Sequence, residues 1–187
     1  MAKRVAVFID AANLWQLQKA KGQVLDMAKL QAYLKDRYKA DTIQVFYYDA
    51  YPAQDTRSYS IDGKFRFYTM LEKKLGMIVR KKPLKQIHSA DSKHEDGMVE
   101  KGNMDVELAI DAVRYVDDYD TALLFSGDSD FLAIIKFIRE RGKKAYIFST
   151  KNHVSSELRT GGDGYIDLLA VQEDIWRGEV RYRAQRS

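Results

Sequence analysis

The chain has 187 residues, 45% of them hydrophobic and 31% charged, with 31 Lys and Arg against 27 Asp and Glu for a formal net charge of +4. That length and composition suit one ordinary globular domain, large enough to bury a core without staples. The lack of cysteine excludes a disulfide framework, a thiolate zinc site and a cysteine nucleophile, and three histidines (His88, His94 and His153) argue against a histidine-rich metal site.

From the N-terminus, the run VAVFID is too short for a signal segment and ends in an acid. No stretch approaches the roughly 18 apolar residues of a membrane span, so a cytoplasmic setting with no membrane partner is expected. Arg4 to Ile9 is a near-continuous apolar run ending at Asp10, as a buried parallel strand would read. A helix is expected from about Ala12 into Lys19, and another over Met27 to Tyr38 with apolar residues at Met27, Leu30, Leu34 and Tyr38. Thr42 to Tyr48 reads as the second strand, Phe65 to Leu75 as a helix closed by Gly76, and Met77 to Val79 as the start of a short third strand.

Residues 80–102 are polar and lack periodicity apart from short extended pieces. Asn103 can cap a helix running to about Val116. Thr121 to Phe125 is the fourth strand, Ser126-Gly127 a tight turn, Asp128 to Arg141 a helix ended by Gly142, and Lys144 to Phe148 the fifth strand. A short helix over Val154 to Arg159 and an apolar segment over Tyr165 to Leu169 follow. Residues 1–170 therefore read as one domain and 171–187 as a basic tail whose last dozen residues fray. The alternation implies an α/β domain with a mostly parallel central sheet and helices on both faces. In such sheets ligands bind beyond the C-terminal strand ends.

Acids lie where that rule points. Asp10 follows the first strand, Asp128 and Asp130 follow the fourth, and Asp105 sits in the first turn of the helix before it. Taken singly, each has a structural alternative, a helix cap or a first-turn acid opposite the macrodipole. Taken together, four carboxylates in one cleft repel one another, and a hard divalent cation such as Mg²⁺ or Mn²⁺ relieves that cost. Asp10 and Asp128 are the expected direct ligands, with Asp105 and Asp130 completing the shell directly or through water. Asn13, three residues after Asp10, can orient a water or substrate without adding charge. Asp111 lies six residues beyond Asp105, on a different helix face, and is the weaker candidate.

Three blocks, VFIDAANL (7–14), KGNMDVELAID (101–111) and LFSGDSDF (124–131), resemble the signature blocks of NYN domains, in particular the LabA-like branch of the PIN-like nucleases. The likeness covers roughly residues 4–150. It implies a three-layer α/β/α PIN-like fold, Mg²⁺ or Mn²⁺ dependence and ribonuclease activity. Asp10, Asn13, Asp105, Asp128 and Asp130 would be its site residues. Ser126 and Lys101 also occupy motif positions, for substrate binding.

The run Arg80, Lys81, Lys82, Lys85 and the tail arginines Arg177, Arg181, Arg183 and Arg186, with Trp176 and Tyr182 among them, suit a nucleic-acid backbone and unpaired bases. A solvated rim and a frayed tail are the plainer alternative. Tyr47, Tyr48, Tyr51 and Tyr59 add aromatic character near the second strand. Residues 80–102 are expected to form a hairpin or flap beside the cleft. The leading function is metal-dependent hydrolysis of RNA phosphodiesters. The alternatives are a small-substrate phosphatase, and a non-catalytic nucleic-acid or protein-binding module that retains a metal site. Asp10 is followed by Ala11 and Ala12, not by a second acid two residues on, which disfavours the phosphatase. No GxxxxGK[ST] loop is present. The sequence leaves the oligomeric state open, a homo-oligomer included.

Overall fold

The structure, a computed structural model, describes residues 2–52, 60–88, 98–171 and 173–180. In chain order the elements are β1 (Arg4–Asp10), α1 (Ala11–Lys21), β2 (Gln23–Leu25), α2 (Met27–Arg37), β3 (Thr42–Tyr51), α3 (Asp62–Leu75), β4 (Ile78–Pro83), β5 (Lys85–His88) and β6 (Met98–Lys101). Then come α4 (Asp105–Arg114), β7 (Thr121–Phe125), α5 (Leu132–Glu140), β8 (Lys144–Ser149), α6 (Ser156–Gly161), β9 (Gly164–Asp167) and β10 (Trp176–Glu179), with short 3-10 turns between several of them.

Val5 to Ile9 leave no polar face, so β1 must lie inside a sheet covered on both sides. It does: the six-stranded sheet runs β4-β3-β1-β7-β8-β9, and every ladder in it is parallel. The alternation of side chains along β1 feeds two cores. Val5, Val7 and Ile9 pack with Leu14 and Leu17 of α1, Leu30 and Leu34 of α2 and Leu71 of α3. Ala6 and Phe8 pack with Leu108 and Ala112 of α4, Ile134, Ile135 and Ile138 of α5 and Leu158 of α6. This is the expected α/β/α sandwich.

The topology locates the crevice. The chain builds outward from β1 through β3 to β4, then returns to the other side of β1 as β7. The helix that follows β1 covers one face and the helix that follows β7 covers the other. Their starts diverge, which opens a cleft beyond the C-terminal ends of β1 and β7.

Several sequence expectations need correction. The third strand, expected to begin over Met77 to Val79, starts at Ile78 and runs to Pro83 into the segment read as aperiodic, paired with β3 from Phe46↔Ile78 to Tyr51↔Pro83. Asn103 does not cap α4: the cap position is Met104, with no side-chain hydrogen bond, and the Asn103 amide donates instead to the Asp105 carboxylate. That helix ends at Arg114 rather than near Val116. The helix expected from Asp128 opens as a 3-10 turn (Ser129–Phe131) before α5 proper. Residues 176–179, expected to fray, form β10 antiparallel to β2, because Trp176 is buried there and packs in the α1/α2 core. The folded unit thus continues past residue 171, and Trp176 offers no free face to a base. Residues 89–97, Tyr59, Arg181, Tyr182, Arg183 and Arg186 lie outside the described residues.

Candidate active site

Asp10 ends β1 and caps α1: its Oδ1 accepts the Ala12 and Asn13 backbone N–H groups at 3.0 and 3.4 Å. The capping alternative therefore holds for one oxygen. The other, Oδ2, accepts the Asn13 side-chain amide at 2.5 Å and the Ser126 hydroxyl at 3.3 Å. Asn13 reaches across the cleft, since its Oδ1 also accepts the Gly127 N–H at 3.1 Å. One neutral amide thereby joins the end of β1 to the end of β7.

Ser126 is 1% exposed, and besides bonding Asp10 its hydroxyl accepts the Asp128 N–H at 3.2 Å. It forms the wall of the crevice. Gly127 is required where it stands: a Cβ there would lie 2.0 Å from the His153 carbonyl oxygen. Asp128 is half-buried and caps the following 3-10 turn through the Asp130 N–H at 3.0 Å, while Asp130 is exposed. Asp105 stands half-buried in the first turn of α4. Burial pushes its carboxyl above the ordinary value, and the fields of Asp10, Asp128 and Asp130 push the same way. All four sequence-selected aspartates therefore share one electrostatic neighbourhood. Among the described residues none of them has a cationic partner.

Residues 4–169 match the NYN domain family. The chain belongs to that family. It is 31% identical over 177 residues, 94% of this chain and 89% of the other, to the protein named Low amplitude and bright protein LabA of Synechococcus elongatus. An uncharacterized protein of Methanocaldococcus jannaschii is 33% identical over 72 residues, 37% of this chain and 30% of that one. Among solved structures, a protein of unknown function from Vibrio parahaemolyticus shares the fold, with a TM-score of 0.67 at 21% identity over 94% of this chain and 97% of that one.

In this NYN domain the basic run from Arg80 is split by strand alternation. Arg80 and Lys82 face α4. The Arg80 fork grips buried Asp111, Nε to Oδ2 at 2.9 Å and Nη2 to Oδ1 at 3.4 Å, and Lys82 Nζ sits 2.6 Å from Glu107 Oε1. Asp111, which also accepts the Tyr48 hydroxyl at 3.1 Å, thus serves to tie β3 and β4 to α4. Lys81 faces α3, 3.6 Å from Glu72. Lys85 and Lys101 are exposed and stand directly opposite each other in the β5–β6 ladder. Like charges so placed repel, a cost that an anion lying across them removes.

Sequence reasoning missed Asp49. It lies one residue past Tyr48, which pairs with Asp10 across β1 and β3, and it is 8% exposed. Lys64 Nζ lies 3.0 Å away, and the Tyr68 hydroxyl donates at 2.8 Å. Burial raises its carboxyl, Lys64 and Tyr68 draw it back down, and the nearby Asp10 raises it slightly again. The signal is present in the sequence, since Asp49 is an acid just after an apolar strand, the rule that selects Asp10. The expected strand ends at Tyr48, directly before Asp49, whereas β3 runs on to Tyr51 and carries Asp49 within it.

The donor set suits a hard cation, being all oxygen and rich in carboxylate. The spacing is open: among the described residues no three acidic or histidine side chains are close enough to hold a metal ion between them. Mg²⁺ keeps several of its waters when bound by one or two carboxylates, so direct and water-bridged ligands fit such a spread. No helix among the described residues is long and apolar enough to cross a membrane.

Proposed function

We propose that this NYN domain hydrolyses phosphodiester bonds in RNA at the crevice between β1 and β7, with Mg²⁺ or Mn²⁺ held by Asp10 and Asp128 directly and by Asp105 and Asp130 through water. One observation carries the reading: four aspartates from three separated segments share a single field, and among the described residues no cation pairs with any of them. Elsewhere in the fold, buried acids such as Asp111 and Asp49 have one. Repelling carboxylates at a strand end persist where something else supplies the positive charge.

When bound, the cation supplies a polarised phosphoryl oxygen and a water acidic enough to act as hydroxide near neutral pH. The protein's own part is positioning. Asn13 and Ser126 fix the Asp10 carboxylate, and Asn13 keeps the two strand ends in register through the Gly127 N–H. Because Asn13 is neutral, it orients groups at the cleft without deepening the negative potential. Lys85 and Lys101 on the β5–β6 hairpin receive the backbone of the polyanion, and Arg80, Lys81 and Lys82 add positive potential while holding their own acidic partners.

The test is incubation of the purified protein with labelled single-stranded RNA, duplex RNA and DNA in Mn²⁺, Mg²⁺ or EDTA. Cleavage of RNA that needs the cation supports the reading. Tight binding of RNA with no cleavage under either cation overturns it in favour of a non-catalytic module, the reading that the open spacing of the acids favours second.

A further inference from the structure

Aromatic rings bury large apolar area, and among the described residues all but two of them are buried or half-buried. The exceptions are Trp15, 41% exposed, and Phe65, 36% exposed. Both stand on helices that cover the same face of the sheet, since α1 and α3 pack into one core cluster. Both are also tied to the C-terminal strand ends. Helix α1 starts from Asp10 itself. Phe65 rests edge-on against Tyr51, the last residue of β3, at 5.2 Å, and follows Lys64, the partner of Asp49.

Each ring has an ammonium group beside it. Lys19 Nζ is 6.0 Å from the Trp15 ring centre and Lys81 Nζ is 5.9 Å from that of Phe65. Exposed rings interleaved with lysines match a ligand with flat faces and a negative backbone, although Lys81 also has Glu72 at 3.6 Å. The faces of bases in a duplex are covered by their neighbours, so only unpaired bases can lie on these rings.

We propose that Trp15 and Phe65 are stacking platforms for the unpaired bases of a single-stranded polynucleotide, with Lys19 and Lys81 beside them to meet its phosphates. The proposal rests on the hydrolytic reading only for where the strand leads: past α1 and α3 toward the acids. It makes single strands the substrate class and duplexes poor ligands.

The chain has two tryptophans, Trp15 and the buried Trp176, so Trp176→Phe leaves Trp15 as the sole emitter. The measurement is quenching of that emission in EDTA and low salt by oligo(U), oligo(dT) and an RNA hairpin of equal phosphate count. Fluorescence anisotropy of the labelled oligonucleotides on the unaltered protein provides a readout independent of that substitution. Single strands should quench Trp15 and the hairpin should not. Trp15→Ala and Phe65→Ala should each weaken single-strand binding about tenfold, while Trp15→Phe and Phe65→Tyr retain it. Equal quenching by oligo(U) and oligo(dT) identifies stacking alone as the source, and a preference for oligo(U) adds recognition of the ribose; either supports the platforms. Unchanged binding by both alanine variants, or hairpin binding as tight as single-strand binding, overturns the proposal. Ring-dependent binding without Mn²⁺-dependent cleavage by the native protein sinks the hydrolytic reading and leaves the platforms standing. Cleavage with ring-independent binding sinks the platforms alone.

Discussion

At the N-terminal edge of the sheet Asp120 meets Arg4, whereas at the C-terminal edge Asp10 and Asp128 meet amides and a hydroxyl. The Arg4 guanidinium bonds both Asp120 oxygens, at 2.8 and 3.3 Å, and its backbone N–H adds a third bond at 3.0 Å. That carboxyl is drawn down to about 2, chiefly by these bonds. The Asp105 carboxyl at the other edge is pushed up by burial and by its acidic neighbours. Hollow space does not distinguish the two ends, because the Arg4 end also holds a cavity of about 290 Å³ lined by residues such as Phe46, Ile78 and Tyr119. Among the described residues the two ends differ in countercharge: Arg4 supplies it to Asp120, and no ion pair reaches Asp10 or Asp128.

The largest effect should come from Asp10→Asn and Asp128→Asn, each of which keeps shape and removes charge. Mn²⁺-dependent cleavage should fall on the order of 100-fold or more, and the rise in melting temperature on adding Mn²⁺ should shrink with it. Asp120→Asn, at the balanced edge, should leave cleavage unchanged. Full activity in Asp128→Asn, or loss of it in Asp120→Asn, would break the comparison. Gly127→Ala comes next. Its Cβ would strike the backbone of His153, so destabilisation of about 1–3 kcal/mol by denaturant titration is expected, with activity lost as the turn carrying Asp128 shifts.

A middle-sized effect belongs to Lys85→Ala combined with Lys101→Ala. Binding of single-stranded RNA should weaken across sequences, and the slope of log affinity against log salt should drop by roughly 0.7 for each phosphate that no longer meets a lysine. An unaltered slope would take the β5–β6 hairpin off the substrate path. The pH behaviour of the two edges should have opposite sign. Asp105 holds its proton to higher pH in the folded state than in the unfolded one, so it destabilises the metal-free protein as pH rises through that window. Asp105→Asn should melt higher than the native protein at neutral pH and lose that advantage well below pH 3.8; parallel melting curves would refute this. The smallest effect is that of the Arg4–Asp120 pair. Its contribution is present above the ordinary carboxylate value and is lost as pH falls toward about 2. Because the pair is partly exposed, Arg4→Ala should lower the melting temperature only slightly at neutral pH and not at all in strong acid.

The inner strands are legible in the sequence because runs such as VAVFI and TALLF admit only one environment, and the acids after them follow from strand order. Short edge elements are not. Gln23–Leu25 and Trp176–Glu179 pair across most of the chain, and nothing local in either segment announces its partner. The basic run at 80–82 reads as polar and aperiodic because its charges mask alternation, and only the structure gives Arg80 and Lys82 one face and Lys81 the other. Asn13 reads from sequence as a group that orients water or substrate. Its link to Gly127 depends on β1 and β7 lying side by side, a contact across 114 residues of sequence.

That long link also has a consequence in time. Strands β4, β3 and β1 come from the first 83 residues and β7, β8 and β9 from residue 121 onward, so the cleft joins two halves of the chain. At a synthesis rate of about 5–20 residues per second, Asp10 leaves the ribosome roughly 6–24 s before Asp128. A site assembled in this way is incomplete while its own message is still being read, and it forms only when the second half docks. Cutting the gene between codons 84 and 120 should give two fragments that separate Asp10 from Asp128, with the cleft and the proposed cleavage restored only on mixing.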